Sequence, residues 1–393
     1  MADHDVVREL AHKRGRQMAE PLRYLYGESD IFIGKRGRLG RYLVCAMEGY
    51  FPVLIAAGPN SLATVFRTGA PHLGITGTLA VATSQDGGKS WSDPVQIQPR
   101  WDDNRNPALG VNDAGELIVS FWKARLHAYE EDPNGGGLVY SADRDDRRRS
   151  VPALYYCKSE DRGRSWTQPK PYMSRLLTLA SPYGRIITDP DGTLMMGVYG
   201  SPRERIEGYR DISILLRSND GGETWGDETL VAPGYNETAY AFLQDGRMIA
   251  AARSESGHVA VLHSQDIGRS WSSPVQVTRD GEHPADVTVL SSGRILFTFG
   301  RRIRPMGCGA LLSDDGGRTW DMNHEVLLAG DGVENRDLGY PSTVQLTDGC
   351  IVTVLYFASG SEMSEDYRGW GRASCQAIHY REEDILPPAS PPF

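Results

Sequence analysis

From Ile31 onward the chain alternates short apolar runs with polar turns, and it repeats one pattern six times. A first run (PVLIAA, PALGV, YGRIIT, AYAFL, DVTVL and STVQL) leads through a turn into a second. The second runs are NSLATVFR from Asn60, GELIVSFW from Gly115, GTLMMGVY from Gly192, GRMIAAAR from Gly246, GRILFTFG from Gly293 and GCIVTVLY from Gly349. Runs this short, rich in β-branched and aromatic residues and bounded by Gly, Asn and Asp, predict β-strands rather than helices. Ahead of them, a short helix is expected between Asp5 and about Tyr26, within an N-terminal segment 1–30.

A second repeat punctuates the first. It reads SQDGGKSW from Ser84, SEDRGRSW from Ser159, SNDGGETW from Ser218, SQDIGRSW from Ser264 and SDDGGRTW from Ser313. The common form is Ser-x-Asp-x-Gly-x-Ser/Thr-Trp. Its aspartates suit Asx-turns, its glycines supply the positive φ of a tight turn, and its tryptophans are apolar anchors for the gaps between sheets. Five copies identify a structural repeat.

Each unit therefore reads strand A, glycine turn, strand B, loop, strand C, octapeptide turn, strand D. Six such units predict an all-β fold, a six-bladed β-propeller of four-stranded antiparallel blades over 31–382, with a Pro-rich tail at 383–393. The sixth unit lacks an octapeptide, so its outer strand is expected from the N-terminus, near IFI or RYLVC, which would remove an exposed edge. A β-sandwich does not account for six units of one grammar.

Composition narrows the partners. A formal charge of −9 argues against a nucleic-acid or anionic-membrane surface. Five scattered cysteines without a CxxC read as mostly buried free thiols, and no cluster has metal-ligand spacing, so no cofactor or metal is expected. No apolar stretch is long enough to span a bilayer and the start has no apolar h-region. As given, the sequence reads as soluble and cytoplasmic, a trimmed export signal being the alternative.

The grammar also sorts residues by face. Octapeptide turns fall on one side, so their aspartates are scaffold; strand A entrances, strand B exits and B–C loops fall on the other. The entrances carry Glu48 and Tyr50, Asp102, Asp103, Arg105 and Asn106, Tyr183, Asn236 and Glu237, His283 and Asp286, and Arg336, Asp337 and Tyr340. The exits carry Arg67 and His72, Arg253, and Arg301, Arg302 and Arg304. Arginines converging with carboxylates suit a small anionic ligand. One B–C loop, Lys123 to about Ser150, is long enough to act as a lid.

These features resemble the sialidase (neuraminidase) superfamily. The octapeptides are similar to its Asp-boxes, or BNR repeats, and the likeness runs from about Tyr50 to Tyr380. The resemblance implies roles for particular positions. NETAYAFLQDGRMIAAAR places Glu237 and Arg253 on the glutamate and arginine of the fourth blade. In RRIRPMGCGALLSDDGG, Arg304 matches the fifth-blade arginine best and Arg302 is the near alternative. LGYPSTVQL places Tyr340 on the nucleophilic tyrosine, and RNPAL from Arg105 resembles a second-blade motif. Two parts differ. Where the family has an arginine in an Arg-Ile-Pro setting, this chain reads Tyr50-Phe51-Pro52. The loop that holds the family's acid, Arg67 to Ser84, contains no carboxylate; His72 and Arg67 are its only ionisable residues.

The implied activity is an exo-glycoside hydrolase that removes a terminal acidic sugar, sialic acid or a relative such as a uronate. Tyr340 would be the nucleophile, Glu237 its base, and Arg253 with Arg304 or Arg302 the grip on the sugar carboxylate; tyrosine is this family's exception to the two-carboxylate scheme. For the missing acid His72 stands first, with Asp103 and Asp286 as rivals; Arg67, Arg105, Tyr50 and Asp286 complete the expected substrate contacts. A non-catalytic glycan-binding propeller and a polysaccharide lyase are the alternatives.

Overall fold

In this computed structural model of the 393-residue chain, the described residues are 28–30, 38–46, 48–70, 72, 77–97, 103–124, 129–131, 138–140, 154–330, 333, 336–359 and 372–386. The helix expected before Gly27, Asp102, and the tail from 387 lie outside them. Most of the long loop after Lys123 does too, apart from a short antiparallel hairpin pairing Tyr129–Glu131 with Leu138–Tyr140.

The fold is all-β, a propeller-like arrangement of small sheets. Three sheets have four strands, one has eight and one has five. In the first, Tyr50–Ala56 pairs with Leu62–Thr68, then Thr78–Ser84, then Val95–Gln96. Strands beginning at Tyr235 and at Glu282 start the other two four-stranded sheets in the same up-and-down order. The inner strands Tyr50–Ala56, Asp103–Val111, Ser181–Thr188, Tyr235–Phe242, Glu282–Val289 and Leu338–Gln345 touch in succession, and the last returns to contact the first.

The eight-stranded sheet departs from the expectation of separate four-stranded units. Its two antiparallel halves are joined where Asp103–Val111 runs parallel to Ser181–Thr188, through Ala108 opposite Gly184 and Leu109 opposite Arg185. Gly110 permits this approach, since a Cβ there would lie 2.6 Å from the Ile186 side chain. In the five-stranded sheet, Arg38–Cys45 from the start of the chain pairs antiparallel with Arg372–Tyr380 near its end. The expected tail begins instead as a helical turn, Glu382–Ile385, whose Ile385 is buried in the core. Of the five cysteines, all free, Cys157, Cys308 and Cys375 are buried and Cys45 and Cys350 half-buried.

The octapeptide turns share one set of bonds. Asp161 accepts from Ser159 Oγ, Ser165 N and Ser165 Oγ, and Asp86, Asp220, Asp266 and Asp315 repeat the scheme. The hydroxyl and backbone N–H of Ser165 hold the Asp161 carboxyl down at about 2. The tryptophans pack between neighbouring sheets. Trp91 joins a cluster shared by residues 54–82 and 344–377, and Trp166 one shared by the first two sheets. Register fixes the face: Leu62 pairs with Ser84 at the octapeptide end, and Tyr50 with Arg67 at the other. Asp220→Ala is accordingly expected to cost on the order of 1–2 kcal/mol of stability through its lost turn bonds. Turnover per folded molecule should stay at the wild-type level; a large fall at unchanged melting temperature would place the octapeptides on the functional face.

Candidate functional site

All six inner strands carry a register shift within their first residues: Tyr50/Val53, Arg105/Ala108, Tyr183/Ile187, Tyr235/Thr238, Glu282/Ala285 and Gly339/Ser342. A bulge adds one residue to its strand and turns a side chain from its expected face. In three of them the residue that turns has positive φ and precedes a proline: Phe51 (54°), Asn106 (45°) and Tyr340 (50°). Gly184 (72°) occupies the corresponding place in a fourth. Left-handed backbone at a phenylalanine or tyrosine costs on the order of 1–3 kcal/mol and gathers at functional sites. These four residues line one pocket, together with Tyr183, Asp286, Ser342 and the neighbouring prolines.

Tyr340, one of the lining residues, is 8 % exposed. Its Oη donates to Glu237 Oε1 at 2.7 Å, and Glu237 Oε2 accepts from Arg253 Nη1 at 2.6 Å. Glu237 and Arg253 come from neighbouring strands of one sheet, and Tyr340 reaches them from the five-stranded sheet. Burial, reinforced by the Glu237 charge, pushes the Tyr340 phenol well above 10. It therefore rests protonated, with a carboxylate already placed to take its proton. Burial would lower Arg253, but Glu237 outweighs it and holds the guanidinium charged.

Arg302 stands closer to this chain than Arg304. Its charge reaches Tyr340, Asp337 and Tyr356, while its Nη2 donates to the Leu338 carbonyl at 2.9 Å. Its Nη1 lies 3.2 Å from His283 Nδ1. A guanidinium only donates, so Nδ1 accepts and His283 is neutral; burial and the Arg302 charge drive its pKa far down. Arg304 is exposed in the turn beyond.

His72 packs beside the pocket. Its ring meets Phe51 edge-on at 4.7 Å between centroids, and Phe51 meets Tyr340 at 4.8 Å. His72 Nδ1 lies 2.7 Å from Asp337 Oδ1, which also accepts from Tyr356 Oη at 2.5 Å. Burial would raise the Asp337 carboxyl, but His72, Tyr356 and Arg302 together lower it.

Five further expected residues are placed as follows. Asp103 and Arg67 are both 0 % exposed, paired at 2.6 Å, and Asp103 also accepts from Arg105 Nε and from Gly77 N at 3.0 Å. A Cβ on Gly77 would strike the Arg67 guanidinium, so the glycine makes room for the clamp. Neither residue of this buried pair can meet a solute. Arg105 is bound to the same carboxylate and lies over Trp122, while Asn106 lines the pocket in its stead. Tyr50 is buried against Phe51 and Tyr356, and it is Phe51 that faces inward. Asp286 lines the pocket, but Oδ1 accepts from Arg185 Nη2 at 3.0 Å and Oδ2 from Thr343 N at 2.7 Å.

Sequence reasoning missed Arg185. It crosses from the eight-stranded sheet to donate to Asp286, to the Val287 carbonyl and to the Thr343 carbonyl, bracing the inner strands below the pocket. It also missed Phe51, for which the X-Pro pairs Phe51-Pro52, Asn106-Pro107 and Tyr340-Pro341 at strand entrances were the available signal. Among the described residues no three His, Cys, Asp or Glu side chains are grouped to hold a metal ion.

Known proteins can now be set beside this geometry. A model of the BNR repeat-like domain family matches residues 137–354, more than half of the chain. A sialidase of Bacteroides fragilis is 23 % identical over 310 residues, covering 73 % of this chain and 55 % of that protein. A sialidase of Clostridium perfringens is 29 % identical over 205 residues, covering 49 % and 52 %. The chain thus spans about half the length of the curated relatives it matches. Among solved structures, a Dyadobacter fermentans protein of unknown function superposes with a TM-score of 0.67 at 20 % identity, over 90 % of this chain and 100 % of that one. The NanB sialidase of Streptococcus pneumoniae does so with a TM-score of 0.60 at 15 % identity, over 87 % and 69 %. Those structural likenesses establish the fold; the family match, with the repeated octapeptides, shows that this chain belongs to the BNR-repeat family of the sialidase superfamily.

Proposed function

We propose that the protein is a sialidase-type glycoside hydrolase that removes a terminal acidic sugar from a glycan. The observation that carries this reading is the hydrogen-bonded chain Tyr340–Glu237–Arg253 at the pocket. On the same reading the halves of the eight-stranded sheet are separate blades, so the propeller has six, closed by the pairing of Arg38–Cys45 with the last blade.

The chemistry follows from charge. A phenol attacks an anomeric carbon that bears its own carboxylate without the repulsion a charged Asp or Glu would meet. As the Tyr340 Oη–carbon bond forms, its proton passes to Glu237 Oε1, and the electron pair of the breaking C–O bond leaves with the aglycone oxygen. Arg253 and Arg302 neutralise the sugar carboxylate and hold the carbon in line. His72 supplies the proton for the departing oxygen, since Asp103 and Asp286 are engaged elsewhere. Water then displaces Tyr340 from the sugar.

A panel of chromogenic sialosides, uronosides and neutral glycosides tests the proposal. Release of chromophore from an acidic glycoside, and from no neutral one, is the expected result. Saturable binding of the sugar without release would make the protein a glycan-binding propeller, and an unsaturated product absorbing in the ultraviolet would make it a lyase.

A further inference from the structure

His72 and Asp337 lie 265 residues apart in sequence, yet their side chains meet at 2.7 Å beside the pocket. The geometry points to Asp337, anchored by Tyr356, as the positioning residue that makes His72 the proton donor to the departing oxygen. This inference rests on the hydrolase reading above.

A carboxylate only accepts, so the proton in this contact sits on His72 Nδ1, and Nε2 is the nitrogen that gains and loses the second proton. Tyr356 Oη donates to the same oxygen, Asp337 Oδ1, at 2.5 Å. Tyr356 is fully buried, and burial together with the Asp337 charge keeps its phenol protonated, so it remains a donor. The carboxylate is thereby fixed between two donors, and the imidazole plane with it. Tyr356 comes from Ile351–Ser359, the strand paired with the one that carries Tyr340. The ring of Phe51 meets both His72 and Tyr340, which sets the donor one aromatic ring from the ring of the nucleophile.

The dyad answers a particular need of an acidic sugar. A carboxylic acid that gives up its proton becomes an anion beside the carboxylate of the substrate. An imidazolium that does so becomes a neutral ring, so the group facing the substrate carries no full negative charge, while the charge left on the pair sits on Asp337, held by Tyr356. In the first step the C–O bond breaks, its electron pair goes to the leaving oxygen, and that oxygen takes the proton from Nε2. In the second, Nε2 takes a proton from water as the water oxygen bonds to the anomeric carbon. The Tyr340–carbon bond breaks with its pair on Tyr340 Oη, and Glu237 returns the proton. Among the described residues, the charges around the dyad include Asp337 itself and Arg302, which reaches both Asp337 and Tyr340. Tyr50 packs edge-on to the imidazole, with Arg67 and Glu48 acting on it.

The test compares 4-nitrophenyl sialoside, whose leaving group departs with little help, with sialyllactose, whose leaving alcohol needs a proton. Asp337→Asn should lower kcat on sialyllactose on the order of 100-fold and on the aryl sialoside only several-fold. KM for both substrates should stay near the wild-type value, so that the loss falls on kcat. Tyr356→Phe should show the same selectivity more weakly. Equal losses on both substrates, in variants that melt as the wild type does, would overturn the dyad and leave the hydrolase reading standing. Failure of the wild type to cleave any acidic glycoside of the panel above would overturn both. A variant of Asp337 that does not fold passes the decision to Tyr356→Phe, where unchanged selectivity counts against the dyad.

Discussion

Tyr340→Phe and Glu237→Gln are each expected to lower turnover on the order of 100-fold or more, and the double variant to be little worse than the poorer single one. Phenylalanine keeps the ring that packs against Phe51 and Tyr183 and deletes only the oxygen that would bond the anomeric carbon. Glutamine retains an acceptor for Arg253 and cannot take a proton. The two groups share one 2.7 Å hydrogen bond and act as one device, so removing the second member has little left to remove. Activity on a confirmed substrate, read with melting temperature, checks this. If Tyr340→Phe kept more than about half of wild-type turnover, the loss would be worth only about 0.4 kcal/mol of barrier and the tyrosine could not be the nucleophile.

Why the repeats were legible and parts of the site were not comes down to parity. Turn chemistry is local: Ser-x-Asp-x-Gly closes on itself through bonds two to four residues apart, so five copies declare their strands without tertiary information. Strand direction then sorts ends by face, which put Glu237, Arg253 and Tyr340 at one end. Which of two adjacent residues turns inward is a different matter, because a one-residue slip exchanges the faces of a strand. The bulges introduce that slip. Tyr50 and Arg105 stand at the expected entrances, yet Phe51 and Asn106 reach the pocket. The X-Pro pairs marked the shift, and only its meaning was hidden. The His72–Asp337 contact had no local signature at all, since two sheets far apart in sequence bring it together. The same holds for Arg185, a strand arginine whose partners lie on two other sheets.

Asp103→Asn is expected to cost stability rather than chemistry, by about 3–5 kcal/mol, the range for breaking a buried ion pair. The asparagine fits the space but takes from the Arg67 guanidinium, 0 % exposed, the charge it meets at 2.6 Å. It also weakens the bonds that Asp103 makes with Arg105 and Gly77 N, which tie the second inner strand to the first sheet. A denaturant midpoint well below that of the wild type, with near-normal turnover in the molecules that remain folded, is the expected pair of results. An acid acting on the leaving group would give the reverse: an unchanged midpoint and a loss confined to substrates with poor leaving groups. The double variant Arg67→Met/Asp103→Leu sharpens the distinction. Apolar side chains of similar volume remove both charges of the pair at once, so part of the lost stability should return, the rest being the bond that Arg105 made with the same carboxylate. A proton donor could not be restored that way. Recovery of the midpoint with turnover near wild type identifies the pair as an internal clamp; recovery of the midpoint with turnover still abolished would return Asp103 to the chemistry.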